Sequence, residues 1–245
     1  MSWPAILPHK SMQTPREKND WRLMRRMFWT IAPRYDFVTR VFSFGMDRGW
    51  KETGVRKAAL PKGARVLDLA CGTGDFSQLV RRFCPDALVI ALDLTEEMLR
   101  RARRRGVQTV VCGNALALPF AGGVFDAVFI GYGLRSLSDL PAALLEICRV
   151  TRPGGRVVSL DFFLPTSRWL RRIYLGWLYA QGAFWGFLLH GRPGIYTYIP
   201  ASLRVFLTIP DFSLMLERMG YGEVEARSYV SGGIGLHWAV KAKNR

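Results

Sequence analysis

Apolar positions along the chain follow two rhythms. Over 18–42 and 46–59 they return at three- and four-residue spacing, which predicts two helices, the second stopped by Pro61 and Gly63. From residue 65 the rhythm becomes short apolar runs separated by amphipathic stretches. Strands are predicted over 65–70, 88–93, 108–112, 125–131 and 155–162, and helices over 75–84, 95–105 and 138–150. A long aromatic segment, 168–189, breaks the alternation. A helix near 211–219 and strands at about 223–229 and 235–241 close the chain. Strands alternating with helices predict an α/β fold with a mostly parallel sheet covered on both faces. No internal repeat is visible. The expected organisation is a loose arm over 1–17 and one domain over 18–245, with an N-terminal helical cap at 18–60 and an aromatic helical insertion at 163–210.

Composition narrows the picture. Of 245 residues, 49% are hydrophobic and 22% charged, which suits a globular domain with a full core. The net charge is +16 and the pI about 10.4. That balance suits nucleic acid, an acidic membrane surface or an acidic small molecule, and equally an arginine-rich surface with no partner. Cys71, Cys84, Cys112 and Cys148 are widely and irregularly spaced, and only three histidines are present, so no metal site is expected and reduced cytoplasmic thiols are. The N-terminal twenty residues lack the continuous apolar run of a secretory signal.

The chemistry concentrates in "RVLDLACGTGDFSQLV", which reads as strand, glycine turn, helix. Gly72 and Gly74 let the backbone turn sharply and approach a ligand at the carboxyl end of the first strand. Asp93 ends the second strand in "VIALDL", where a carboxylate can accept both hydrogen bonds of a ribose diol, with Leu94 beside it. A pyrophosphate cradle wants a third glycine, and that position is Ser77. Asp68 and Asp75 would repel a pyrophosphate but suit a cation. S-adenosylmethionine carries a sulfonium and an ammonium and no phosphate, so it is the expected cofactor. Asn114 and the Ala115 backbone, after the third strand, are placed to meet an adenine edge. The fourth strand ends in Ile-Gly-Tyr-Gly, without the Asn/Asp-Pro-Pro-aromatic run common where nucleic-acid amines are methylated, so nucleic acid is not the expected partner.

Taken together, the blocks "APRYD", "VLDLACGTGD", "DLTEEML", "NALALPF", "GYGLRSLSD", "EICRVTRPGGRVVSLDF", "YTYIPAS" and "GGIGLHWAVK" resemble the quinone-biosynthesis C-methyltransferases that act on demethylmenaquinol and the related ubiquinone precursor, over about residues 28–241. The resemblance implies a Rossmann-like class I methyltransferase with a seven-stranded sheet. It places Thr73, Asp93, Asn114, Ala115 and Gly131 at cofactor-contact positions, where the family more often has serine in place of Gly131. It also implies a polyprenyl quinol as partner, with Tyr35, Tyr196, Tyr198 and Ser202 lining the acceptor side. Arg135 matches a family arginine, while Ser136, Thr39 and Asp47 depart from the family pattern.

Methylation of a ring carbon needs mainly two reactants held at attack distance. The expected catalytic neighbourhood is Arg135, Tyr132 and Asp139, with Arg135 stabilising a developing phenolate. Asp139 also reads as a helix N-cap. The insertion carries no charge between Arg172 and His190 and clusters Tyr174, Trp177, Tyr179, Phe184, Trp185 and Phe187. It reads as a flap over a greasy substrate that rests on an anionic bilayer through Arg168, Arg171 and Arg172, as a core helix, or as a span. The basic runs at 99–106 and at Arg22, Arg25 and Arg26 either add to that face or are solvated helix surface. The expected location is cytoplasmic, peripheral on the inner face of the membrane. His190 and His237 read as structural. Methylation of another lipid, such as an amine headgroup, and a non-catalytic adaptor for membrane or RNA are the alternative readings.

Overall fold

The computed structural model describes residues 28–243. The strands are β1 (Arg65–Leu69), β2 (Leu88–Asp93), β3 (Thr109–Cys112), β4 (Phe125–Gly131), β5 (Thr151–Phe162), β6 (Tyr221–Tyr229) and β7 (Ile234–Lys241). They form one sheet in the order β3-β2-β1-β4-β5-β7-β6. β1 to β5 run parallel, and β7 is antiparallel to both β5 and β6. The helices are α1 (Tyr35–Phe42), α2 (Asp47–Lys57), α3 (Asp75–Phe83), α4 (Glu96–Arg104), α5 (Leu140–Val150), α6 (Arg168–His190), α7 (Tyr198–Leu203) and α8 (Ile209–Arg218).

Period-two alternation along the strands feeds separate cores on the two faces. Val66, Ala127, Phe129 and Val158 pack with Phe76 and Val80 of α3 and with Trp50 and Val55 of α2. Their sequence neighbours Leu67, Val128 and Val157, with Ile130, pack on Leu144 and Ile147 of α5 and on Phe212 and Leu216 of α8. Strand order reverses between β1 and β4, which opens a crevice at their carboxyl ends.

The helical pattern read over 18–42 is not one helix among the described residues. Residues 28–31 are helical, a 3₁₀ turn follows at Ala32–Arg34 around Pro33, and α1 starts at Tyr35. Proline lacks an N–H and restricts the residue before it, which accounts for the break. The proposed arm at 1–17, the start of the cap and Arg22, Arg25 and Arg26 lie outside the described residues. β5 begins at Thr151 rather than 155, and the Pro-Gly-Gly run is absorbed as a register shift against β4. α8 begins at Ile209, where Thr208 and Asp211 form a reciprocal capping box.

The aromatic segment is one 23-residue helix, α6. Its glycines permit close approach: a Cβ at Gly182 would lie 3.1 Å from the Tyr196 carbonyl oxygen, and one at Gly186 would lie 2.7 Å from that of Arg192. The segment leading into α7 therefore lies directly on α6. From the other side, Phe37 of α1 meets Trp185 edge-on at 5.2 Å, and Phe44 stacks on Trp177 at 5.1 Å. His190 closes the helix against the Tyr196 hydroxyl at 2.9 Å.

His237 is fully buried between Phe163 and Phe212, and its Nε2 donates to the Ile209 carbonyl at 3.2 Å. Burial pushes its pKa down to about 4. The unfolded chain, with a value near 6.5, binds the extra proton in between, so stability is lost as pH falls from about 6.5 toward 4. The loss amounts to about 3 kcal/mol. Urea unfolding across that window should show His237→Leu with a shallower acid slope than wild type; identical slopes would exclude His237 as the titrating group.

Candidate functional site

The turn after β1 is held by two carboxylates. Asp68 Oδ2 accepts from both the backbone N–H (2.8 Å) and the hydroxyl (2.6 Å) of Ser77. Asp93 Oδ2 accepts from Gly72 N–H at 2.9 Å, and its Oδ1 from Thr95 N–H at 2.8 Å. Between them Ala70, Gly72 and Gly74 all take positive φ, +50°, +54° and +85°. Ser77 thus replaces the third glycine of a dinucleotide turn because its hydroxyl is tied to Asp68. Gly74 has a packing reason of its own: a Cβ there would stand 2.6 Å from Val107 Cγ2.

A cavity of about 360 Å³ opens over the carboxyl ends of β1 to β4. Of the residues expected to hold the cofactor, Gly72, Asp93, Leu94, Asn114, Ala115 and Gly131 line it. Asn114 Oδ1 accepts from Leu116 N–H at 3.0 Å, which turns its amide nitrogen to other partners. No lysine or arginine is among the lining residues, so a pyrophosphate would meet no counter-charge while a phosphate-free cationic cofactor fits. S-adenosylmethionine, which carries no phosphate, matches this lining.

A second, smaller space on the other side of the turn shares Tyr35, Ala70, Gly131 and Tyr132 with the first and adds Lys51, Asp68, Thr73 and Asp75. Here two side chains are already committed within the protein. Thr73 Oγ1 donates to Asp36 at 2.6 Å and accepts from Arg105 Nη1 at 2.6 Å, so its side chain binds the cap rather than the main cavity. Asp75 is not a free counter-charge for the sulfonium: it pairs with Lys51 at 2.6 Å and Arg105 at 2.8 Å. Against the effect of burial, those two cations hold its carboxyl below the usual range. Arg105, part of the basic run at 99–106, is accordingly a surface clamp on Asp36 and Asp75. Burial pushes Asp68 up to about 7 despite its bonds from Ser77.

Beyond Tyr35 and Tyr132 lies a third space, of about 20 Å³, walled by α1 and α7 and lined also by Arg135, Phe162, Tyr196 and Tyr198. Arg135 is 4% exposed. Its guanidinium lies 5.2 Å over the Phe162 ring and 5.5 Å over that of Tyr198. Its Nε is 3.4 Å from Asp161 Oδ1, and Nη1 reaches Ser202 Oγ at 3.4 Å. Asp161, fully buried, accepts the backbone N–H groups of Leu134 and Phe162, and burial pushes its pKa up to about 6. Tyr132 sits at φ +57°, a costly conformation for a non-glycine residue, and its buried hydroxyl has no hydrogen-bond partner among the described residues. Ser202 lines none of these spaces; its hydroxyl faces Arg135 and donates to the Ile199 carbonyl at 2.9 Å. Asp139 does not join them: it is exposed and caps α5, accepting from Ala142 N–H at 2.9 Å.

Two buried charges, Lys51 and Asp161, escaped the sequence reading. Both had a signal. Lys51 lies on the buried stripe Trp50, Lys51, Gly54, Val55 of α2, and Asp161 interrupts the apolar run that ends β5.

The sheet order, the turn and the cation-suited cavity define a class I S-adenosylmethionine-dependent methyltransferase. Solved structures share the architecture. An S-adenosylmethionine-dependent methyltransferase from Thermotoga maritima aligns over 89% of this chain and 99% of its own, with TM-score 0.64 and 21% identity. Phosphoethanolamine N-methyltransferase 2 of Haemonchus contortus, solved with S-adenosylhomocysteine, aligns over 79% of this chain and 52% of its own, with TM-score 0.59 and 14% identity. In sequence, the chain belongs to the ubiE/COQ5 methyltransferase family, whose profile matches residues 14–241. It is 35% identical to the demethylmenaquinone methyltransferase of Roseiflexus castenholzii, covering 93% of this chain and 96% of that protein. It is 34% identical to the ubiquinone/menaquinone biosynthesis C-methyltransferase UbiE of Desulfotalea psychrophila, covering 89% and 90%.

Gly131 is fixed by a neighbour. A Cβ there would stand 2.9 Å from Phe76 Cε2, and Phe76 is itself buried against Phe129. Gly131→Ser should lower stability by about 1–3 kcal/mol and weaken cofactor binding, and Phe76→Leu in the same chain should restore both. Thermal melts with and without S-adenosylhomocysteine test this; a single Gly131→Ser variant as stable as wild type would refute it.

Proposed function

We propose that the chain methylates a ring carbon of a lipophilic polyprenyl hydroquinone, demethylmenaquinol-like, in quinone biosynthesis. The observation that carries this is Arg135, a buried guanidinium in an aromatic-walled space that meets the cofactor cavity at Tyr35 and Tyr132. An oxygen that turns anionic during attack suits the Arg135 guanidinium, whereas an ammonium headgroup would face repulsion from it. The names of the related proteins point the same way.

When bound, S-adenosylmethionine would supply an electrophilic methyl group for the ring carbon, whose own proton would pass to solvent. The chain positions and solvates. Arg135, anchored by Asp161 and Ser202, holds the phenolate oxygen as its charge develops. Phe162 and Tyr198 flank the Arg135 guanidinium. Burial raises the pKa values of Tyr35, Tyr132 and Tyr198, so these phenols keep their protons and act as donors. The unpartnered Tyr132 hydroxyl is left for an acceptor oxygen.

The substrate's tail fits the outer surface. α6 exposes Trp169, Ile173, Phe184, Phe187 and Leu188, and α1 with the turn after it adds Phe37 and Phe44. The helix has no acidic residue, and Arg168 and Arg172 are exposed at its start. No helix among the described residues is long and apolar enough to cross a membrane. An apolar face fringed by arginine supports peripheral contact with an anionic bilayer, on the inner face of the membrane, where a polyprenyl quinol resides.

Labelled S-adenosylmethionine added to a chemically reduced lipid extract should place label in the quinol fraction. Label in phospholipid or RNA would reject the acceptor. Arg135→Met should lower kcat about 100-fold or more with S-adenosylhomocysteine affinity unchanged; an unchanged kcat would remove Arg135 from the chemistry. Phe184→Ser with Phe187→Ser should reduce co-flotation with anionic liposomes, and undiminished flotation would locate the contact elsewhere.

A further inference from the structure

We infer that Lys51 binds the cofactor: its ammonium takes the carboxylate of the amino-acid end of S-adenosylmethionine, while Asp68 takes the adjacent ammonium. The inference rests on the cofactor's identity and not on that of the acceptor.

The nucleoside end belongs to the larger cavity, where Asp93 and Asn114 stand. The remainder of the ligand must run along the sheet top past Gly72 and Gly131, which leads into the smaller space. Among the described residues, Lys51 is the single cation lining that space. It is 4% exposed, on the face of α2 that also buries Trp50. A lone buried lysine tends to lose its proton. Here, although burial pulls the other way, Asp75 and Asp47 keep it charged, with Nζ at 2.6 Å and 3.0 Å from their Oδ2 atoms. An ammonium has three N–H donors. Two are committed to these carboxylates, and the third remains for a ligand.

Asp68 complements it. Both bonds from Ser77 fall on Oδ2, leaving Oδ1 for a donor. Its pKa of about 7 is that of a buried acid short of a cation, and a ligand ammonium would supply one. Asp75 cannot do this work, being held by Lys51 and Arg105. The wider cluster fits as well. Asp36, Asp47 and Asp75 face Lys51 and Arg105, leaving one carboxylate in excess before Asp68 is counted. The incoming ligand carries two positive charges and one negative. A purely structural ion pair would serve the fold without a space beside it and without an available carboxylate oxygen opposite.

The test compares ligands with and without the amino-acid end by isothermal titration. Wild type should bind S-adenosylhomocysteine more tightly than methylthioadenosine, which keeps the nucleoside and lacks the amino acid. Lys51→Met should weaken S-adenosylhomocysteine about tenfold or more and leave methylthioadenosine within about twofold. Lys51→Arg, which keeps the charge, should retain most of the preference. Decarboxylated S-adenosylmethionine should bind wild type and Lys51→Met alike. Parallel weakening of S-adenosylhomocysteine and methylthioadenosine would reduce Lys51 to a structural pair, and an unchanged S-adenosylhomocysteine affinity would remove it from the site. Should Lys51→Met fail to fold, Lys51→Gln, which keeps a donor toward Asp75, gives the same comparison.

Discussion

The hold of two buried carboxylates on one turn is the constraint on which the site depends. Three residues between β1 and α3 take left-handed backbone, including Ala70, which has no glycine's freedom to do so. Such a turn persists only when its surroundings fix it. Asp68 fixes the helix side through Ser77, and Asp93 fixes the crest through Gly72 N–H. The same anchors line the two spaces above the sheet, Asp93 the larger and Asp68 the smaller. Binding geometry and backbone strain are therefore controlled by the same few atoms.

The cap is joined to this turn by charge. Arg105, at the end of α4, reaches Asp36, Thr73 and Asp75 together, and Lys51 joins α2 to Asp75. Tyr35, next to Asp36, is thereby set against Gly72, whose Cβ position lies 3.6 Å from its ring. The cofactor cavity and the aromatic space thus share a wall whose position is set by ion pairs on its far side. A partly buried network of this kind couples groups that pairwise contacts would leave independent.

Much of this was readable from residues alone. The strand–turn–helix run and Asp93 follow from short-range spacing, which the chain states directly. Asp75 reads as an acid suited to a cation, but its partners Lys51 and Arg105 lie one before the turn and one well after it, and local pattern does not encode such pairings. Asp139 was ambiguous between two uses, and the geometry of α5 decided for the cap. The aromatic helix α6 was visible as a segment but not as a surface. Apolar residues surround it, so periodicity alone does not tell the side against Tyr196 from the side open to solvent. Glycine packing did that, at positions where sequence suggested only interruption.

The aromatic partners of the first-made part of the chain lie far downstream. Phe37 and Phe44 wait for Trp185 and Trp177, and Trp50 stacks on Tyr229 at 4.8 Å. Residues made early already hold α1 and α2 through Asp36–Thr73, Lys51–Asp75 and the packing of Trp50 with Val66 and Phe76, and the downstream rings add to that hold. The outer side of α1 and α2 is thus completed by the last third of the chain, so a truncation there would strip ring contacts from elements that stand beside the cofactor cavity.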